Sequence, residues 1–284
     1  MPYDIVVCAK QVPDTKAVTA KAMNDDGTVN RQALPAIFNP DDLYALEMAL
    51  SIRETYGGKV TLVTMGPPMA AELLRQGLYR GADKVALVTD RRAAASDTLA
   101  TSYILACAVR TAAPFDLVIC GRQAIDGDTA QVGPQLAEKL GLPQITYVEA
   151  VEEIKDGRIT VRRNTDYGLE TLQGPLPILL TVTDKAAPPR YPSMKRVMRY
   201  KKALTGSAAA AQGRAAPDGD LLIEEWNLEK IGADINRCGM SGSPTAVKRI
   251  QAIVLTGGTY KEIMPNQEGI DSLIHELIED HTIG

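Results

Sequence analysis

The chain has 284 residues, 45% hydrophobic and 23% charged, which is globular composition long enough for one large domain or a domain with appendages. A formal net charge of −4 gives no general reason to expect nucleic acid or an anionic membrane as partner, and two phenylalanines leave little for a base-stacking platform. The two histidines, His275 and His281, both lie in the C-terminal tail, which disfavours a His-based triad or a His-rich metal site.

The N-terminus runs straight into Tyr3-Asp4-Ile5-Val6-Val7-Cys8, without a basic n-region or a signal-type core. No apolar run approaches the roughly 20 residues that span a bilayer. The expected location is the cytoplasm. Ile5 to Ala9 suits a central parallel strand, and Pro13 blocks a helix after it. Asn24 to Asn30 reads as a turn or small hairpin. Asn39-Pro40-Asp41 opens a helix, with Asn39 as cap, Pro40 at the first position and acids in the first turn. Leu43, Leu46 and Leu50 form its apolar stripe, and Gly57-Gly58 stops it.

Val60 to Thr64 is the next strand, followed by a helix from about Met69 to Arg80. Lys84 to Val88 is a third strand, and Ser96-Asp97-Thr98 caps a helix through about Ala112. Leu117 to Cys120 is a fourth. Beyond it Gly121-Arg122-Gln123-Ala124-Ile125-Asp126-Gly127-Asp128-Thr129-Ala130-Gln131-Val132-Gly133 leads into Val132, Leu136 and Leu140, one face of a helix. Thr129, or Asp128 before it, can cap that helix, whose first N–H groups would suit a phosphate. Gln144 to Val148 follows as a fifth strand. Repeated strand–helix units predict a doubly wound α/β fold with a mostly parallel sheet. Ligands bind beyond the carboxyl ends of such strands. Ala9-Lys10, Asn39, Thr64-Met65-Gly66 and Gly121 to Val132 all fall on that edge. No G-x-G-x-x-G follows the first strand, so the fold is Rossmann-like without the dehydrogenase fingerprint.

After residue 150, Val151 to Ile154, Gly157 to Arg162 and Leu176 to Val182 read as antiparallel edge strands, with Asp156-Gly157 as a hairpin signal. From Lys185 to Pro217 there is no acid but eight Lys or Arg residues, among them Arg190 and Lys195. This leaves a solvated basic loop and a charged docking surface both open. Gly206 to Asp220, rich in Ala, Gly and Pro, reads as a linker. Residues 1–205 would then form the α/β domain and 221–284 a C-terminal arm. In that arm Leu228 to Ile235 suggests a short helix, Ile250 to Leu255 a strand, and Gly269 to Asp280 an amphipathic helix. Trp226 is expected to pack. Cys8, Cys107, Cys120 and Cys238 have no metal-type spacing and read as buried thiols.

The 121–133 stretch resembles the adenine-nucleotide loop of the beta (small) subunit of electron transfer flavoproteins. Lys10-Gln11-Val12-Pro13-Asp14-Thr15, Phe38-Asn39-Pro40, Tyr167 to Leu172 and Pro189-Arg190-Tyr191-Pro192 resemble that family too, in its order. The resemblance covers most of the chain. It implies a cytoplasmic protein paired with an electron transfer flavoprotein alpha (large) subunit, which the arm embraces. It also implies a recognition loop for an acyl-CoA dehydrogenase-type enzyme, with Met194 as anchor and Arg190, Tyr191 and Lys195 around it.

Two branches of the family differ in the nucleotide, AMP in one and a second FAD in the electron-bifurcating other. Gly127-Asp128-Thr129-Ala130, Asp41 to Glu47 and Arg237 to Gly242 resemble the bifurcating branch. There NADH delivers hydride to the small-subunit FAD, and the electrons part between ferredoxin or flavodoxin and the large-subunit FAD. By this resemblance Gly121, Gln123, Ala124, Gly127, Thr129, Ala130, Gln131 and Val132 hold diphosphate and ribose, and Ala9, Asn39, Thr64 and Met65 the adenosine end. Arg122 would tune the flavin, contact NADH or form a surface ion pair. Asp14, Asp41 and Asp126 read as caps and turn formers. No catalytic side chain or metal is expected, and only the heterodimer would act as a flavin oxidoreductase. A stand-alone ATP-binding or adenylating protein is the alternative class. It would want a Ser-Gly-Gly-x-Asp-type loop where Lys10 to Asp14 stand.

Overall fold

The computed structural model describes residues 2–14, 34–245 and 262–279. The readings at Asn24 to Asn30 and Ile250 to Leu255 lie outside these. The chain divides into two compact units, residues 1–248 and 249–284.

In the first unit, β1 (Tyr3–Cys8) occupies the centre of a ten-stranded sheet, as its unbroken apolar run requires of a strand covered on both faces. The small antiparallel pair β2 (Gln11–Pro13) and β3 (Ala36–Phe38) stands outside it. Helix α1 (Pro40–Tyr56) begins with Pro40 in its first turn and ends at Gly57, whose φ of 83° favours glycine. Then follow β4 (Gly58–Met65), α2 (Ala71–Arg80), β5 (Lys84–Val88), α3 (Thr98–Thr111), β6 (Leu117–Gly121) and α4 (Val132–Leu140). Strands β4 and β6 flank β1 in parallel, with Ile5 opposite Val60 and Cys8 opposite Cys120. Ile5 and Val7 pack towards α1 and α2, while Val6 and Cys8 pack towards α3 and α4. The sheet is therefore doubly wound, and its strand order reverses between β1 and β6.

The second half corrects the sequence reading at four places. Strands β7 (Gln144–Lys155), β8 (Arg158–Thr165) and β9 (Gly168–Pro175) form the expected antiparallel edge, with Asp156 and Gly157 in left-handed turn conformation. However, β10 (Ile178–Val182) is a parallel strand between β6 and β7. All five of its residues are buried, the mark of a central strand. After α5 (Met194–Tyr200), the expected linker is ordered structure: β11 (Leu204–Thr205) leads into α6 (Gly206–Ala211), where Thr205 Oγ1 accepts from Ala208 N–H (3.1 Å). The expected arm does not start at 221, because β12 (Leu222–Trp226) joins the main sheet parallel to β5. Trp226 packs in the α3/α4 core, as its expected packing role requires. Leu228 to Ile235 forms turns instead of a helix, closed by Gly232 at φ 64°.

The described part of the second unit, residues 262–279, contains α7 (Gln267–Glu279), with Ile270, Ile274 and Ile278 exposed at helical spacing. No described helix is long and apolar enough to cross a membrane.

Candidate functional site

A cavity of about 700 Å³ opens where the sheet order reverses, at the carboxyl ends of β1 and β6. Its floor is Cys8-Ala9 and Cys120-Gly121, and its sides are the segments after β4, β5 and β6. Of the expected nucleotide residues, Ala9, Met65, Gly121, Arg122, Gln123, Ala124, Gly127, Thr129, Ala130, Gln131 and Val132 line it. Asn39 and Thr64 do not, for both are fully buried beneath it.

Asn39 stands at the N-cap position of α1 but makes no capping bond. Its Nδ2 instead donates to the Gln123 carbonyl oxygen (2.8 Å), and its Oδ1 accepts from Ile125 N–H (3.1 Å). The cap reading is thus corrected to a clamp on the loop. Asp42 clamps the floor: its Oδ2 accepts from Lys10 N–H (2.8 Å) and its Oδ1 from Gly121 N–H (3.0 Å). The approach of α1 to β6 is so close that a Cβ on Gly121 would lie 2.4 Å from Asp42 Oδ1. Lys10 Nζ reaches across to Asp126 (2.7 Å).

The expected caps of α4 are also corrected. Gln131 stands at the N-cap, without a side-chain capping bond, and Asp128 Oδ1 accepts from Gln123 Nε2 (2.9 Å). Asp128 and Ala130 have φ of 48° and 51°, a left-handed conformation rare for residues with a side chain. The turn into the helix leaves the N–H groups of Thr129 to Gly133 without an acceptor among the described residues. Left-handed residues at 128 and 130, followed by right-handed Gln131 at the helix N-terminus, form a concave set of donors suited to a phosphate. At Gly127 a Cβ would meet no described atom within 4 Å, so nothing among the described residues demands the glycine there.

Burial pushes the Asp42 carboxyl up to about 7, against the pull of its hydrogen bonds to Lys10, Asn39 and Gly121. Burial also raises Asp41, against the charge of Arg122, whose Nε lies 3.6 Å from Asp41 Oδ2. The Arg122 guanidinium sits 5.9 Å from the Tyr147 ring centre, and Tyr147 holds a left-handed φ of 60°. The hydrogen bond to Cys8 and burial push the Cys120 thiol up, and Cys8 and Cys120 are both free and buried, as expected of thiols that pack at the floor. Sequence reasoning missed Asp42, whose partners at Lys10 and Gly121 are remote in the chain. It also missed the wall after β5, where Thr98 Oγ1 donates to Gln131 Oε1 (2.9 Å). The carboxyl-edge rule could have flagged that wall.

The basic stretch divides. Arg190 is committed to α1: its Nε and Nη2 donate to the two oxygens of Glu47 (both 2.8 Å), and its Nη1 donates to Glu54. Burial pushes Glu47 up, but Arg190 outweighs it and holds that carboxyl below its usual range. Arg190 therefore fixes the loop instead of facing outward. Tyr191 (93% exposed), Met194 and Lys195 do face solvent.

Fold and cavity together define a doubly wound α/β protein with a phosphate-type cradle at the switch point of its sheet. The electron transfer flavoprotein domain model matches residues 26–216. The electron transfer flavoprotein subunit beta of Clostridium acetobutylicum is 39% identical over 99% of this chain and 100% of its own length. The caffeyl-CoA reductase-Etf complex subunit CarD of Acetobacterium woodii is 41% identical over 98% and 99%. The acryloyl-CoA reductase electron transfer subunit gamma of Anaerotignum propionicum is 38% identical over 98% and 99%. The chain belongs to the electron transfer flavoprotein family, on its beta-subunit side.

Proposed function

We propose that this chain is the beta subunit of an electron-bifurcating flavoprotein, whose cavity holds an FAD reduced by NADH. The electrons divide between ferredoxin or flavodoxin and, through an FAD on the alpha subunit, an acyl-CoA dehydrogenase-type partner. The observation that carries this reading is the cavity itself. One continuous space of about 700 Å³ touches the segments after β1, β4, β5 and β6. Base, ribose and single phosphate of a mononucleotide leave much of it unfilled. The names of the CarD and acryloyl-CoA reductase relatives support a partner acting on CoA thioesters.

The flavin supplies the redox chemistry when bound. The chain supplies position and charge. The N–H groups of Thr129 to Gly133 receive the phosphates, Ala9 and Met65 leave space for the adenosine end, and Arg122, steered by Asp41, places a positive charge at the cavity wall. Tyr191, on a loop that Arg190 anchors, and Met194 and Lys195, which open α5, form the docking surface. The second unit packs on the alpha subunit through the Ile270, Ile274 and Ile278 side of α7. Both flavins are needed for turnover, so the heterodimer is the enzyme, and its location is the cytoplasm.

The test is release of bound nucleotide from the purified heterodimer by denaturation, followed by chromatographic identification. Two FAD and no AMP per heterodimer are expected. One FAD with one AMP would reject bifurcation and leave a one-flavin electron carrier with a structural nucleotide.

A further inference from the structure

Helix α3 serves two spaces. Thr98, Thr101 and Leu105 line the nucleotide cavity, whereas Leu99 and Tyr103 line a second recess of about 390 Å³. The far wall of that recess is the 236–244 segment, and Lys139, in the last turn of α4, completes it.

The segment is tightly built. A Cβ on Gly239 (φ 60°) would lie 2.1 Å from the Arg92 carbonyl oxygen, and one on Gly242 would lie 2.0 Å from the Arg237 carbonyl carbon. Ser243 Oγ accepts from Asp97 N–H (2.8 Å) and donates to the Gly239 carbonyl oxygen (2.7 Å). So the backbone that carries Arg237 is fixed before any ligand arrives. The Arg237 guanidinium lies 3.9 Å from the centre of the Tyr103 ring. That ring is itself held, because its hydroxyl accepts from Asp234 N–H (2.9 Å).

Two cations thus line one recess. Among the described residues, neither Lys139 Nζ nor the Arg237 guanidinium has a hydrogen-bond acceptor or a carboxylate at ion-pair distance. The segment's own carboxylate, Asp234, accepts instead from Asn236 N–H and Nδ2. Burial and the charge of Arg237 push the Lys139 ammonium below its usual range, against the pull of Glu138 and Asp97. Arg237 is exposed and Lys139 partly buried, and two cations facing one recess repel unless an anion joins them. An arginine laid on an aromatic face keeps its planar fork of donors free at the edge, the arrangement that receives an oxyanion.

We propose that Lys139 and Arg237 form an oxyanion site, which binds a phosphate or carboxylate group in addition to the nucleotide in the main cavity. Arg237 supplies paired donors, Lys139 a second charge, and Ser241 a neutral hydroxyl at the rim. The group comes either from a free phosphorylated small molecule or from a carboxylate side chain of the alpha subunit. The inference does not depend on which nucleotide the main cavity holds.

The test is calorimetric titration of inorganic phosphate into the nucleotide-loaded heterodimer in phosphate-free buffer, for the wild type, Lys139→Gln and Arg237→Gln. Heterodimer dissociation is measured in parallel by sedimentation. With a free ligand as source, the wild type shows one saturable phosphate site, and each substitution weakens it at least tenfold without loss of bound nucleotide. With the alpha subunit as source, phosphate does not bind the heterodimer, but each substitution weakens subunit association at least tenfold. Arg237→Lys restores part of the effect in either case. Unchanged phosphate binding and unchanged association in both glutamine variants would overturn the proposal.

Discussion

Asn39 and Ile125 are joined across 86 positions of sequence by a hydrogen bond from the Ile125 N–H to Asn39 Oδ1 (3.1 Å), and this bond sets the start of the proposed phosphate cradle. The same side chain holds the Gln123 carbonyl oxygen (2.8 Å), so donor and acceptor are both used. Asn39→Asp keeps the shape but replaces the donor by a second acceptor, facing a carbonyl oxygen in a fully buried place. Leaving such groups unpaired costs about 1–3 kcal/mol. The expected outcome is a lowered melting temperature and loss of nucleotide on gel filtration. Asn39→Ala should lower stability too, with a smaller electrostatic effect. Full nucleotide retention in Asn39→Asp would show that the cradle does not rely on this clamp.

Asp42 makes stability pH-dependent in a direction opposite to most carboxylates. Its folded-state value of about 7 lies above the ordinary 3.8. Between those values the unfolded chain has released the proton that the folded chain retains. Stability from this group is therefore fully present at the acid end, falls as pH rises from about 4 to about 7, and levels off above that. Asp42→Asn abolishes this titration, but presents an NH₂ to one of two backbone donors, Lys10 N–H or Gly121 N–H. Melting curves at about pH 5 and pH 8 should show a smaller alkaline loss in Asp42→Asn than in wild type, together with weaker nucleotide retention at both. An identical pH profile in the two proteins would place the titrating group elsewhere.

The two glycines of the loop should behave differently. A Cβ at Gly121 meets Asp42 Oδ1 at 2.4 Å and the Asp41 carbonyl carbon at 2.7 Å, the latter being backbone that cannot step aside. Gly121→Ala should push α1 away from β6, with a loss of stability of about 1–3 kcal/mol. At Gly127 the space is open. Gly127→Ala should leave the melting temperature of nucleotide-free protein unchanged and weaken only the nucleotide, since the added methyl projects where a ligand would approach. Thermal shift with and without added nucleotide separates the two behaviours.

What the sequence discloses, and what it conceals, follows from how local each signal is. The strand–loop–helix at Leu117 to Leu140 and the Asp156-Gly157 hairpin rest on neighbours in the chain, and both are legible. The caps are misread because Asp128 and Thr129 have the right chemistry in the wrong backbone: a left-handed Asp128 turns its carboxyl to Gln123. Asn39 is placed correctly and assigned the wrong task, since its partners are in a segment more than 80 residues away. Leu176 to Val182 follows an antiparallel meander in sequence, yet inserts beside β6, because an all-buried strand needs neighbours on both edges. The Ala- and Gly-rich stretch after Thr205 looks like a linker by composition. Small residues there let α6 pack close, with Ala209 buried.

The proposed docking segment, a loop running into α5, offers a clean separation of anchoring from contact. Met194 and Tyr191 stand in solvent, so Met194→Ala removes little packing within this chain and should change stability by no more than about 0.5 kcal/mol. Its proposed role predicts slower electron transfer to an acyl-CoA dehydrogenase-type partner, seen in stopped-flow mixing, with the rate of flavin reduction by NADH unaffected. Arg190 predicts the reverse weighting. Arg190→Ala leaves the buried Glu47 carboxylate without its two-point partner, and Glu54 without its neighbour. Charge-assisted bonds of this kind contribute about 1.5–3 kcal/mol, discounted here because the Arg190 side chain is 28% exposed. The loss should be larger near pH 7 than below about pH 4: Arg190 holds Glu47 and Glu54 below their usual range, so their contribution is present above the ordinary carboxylate value and disappears as they protonate. Arg190→Lys, which keeps the charge but not the planar fork, should recover only part of it. A variant at Arg190 that slowed partner reduction without any thermal shift would mean that the guanidinium touches the partner directly.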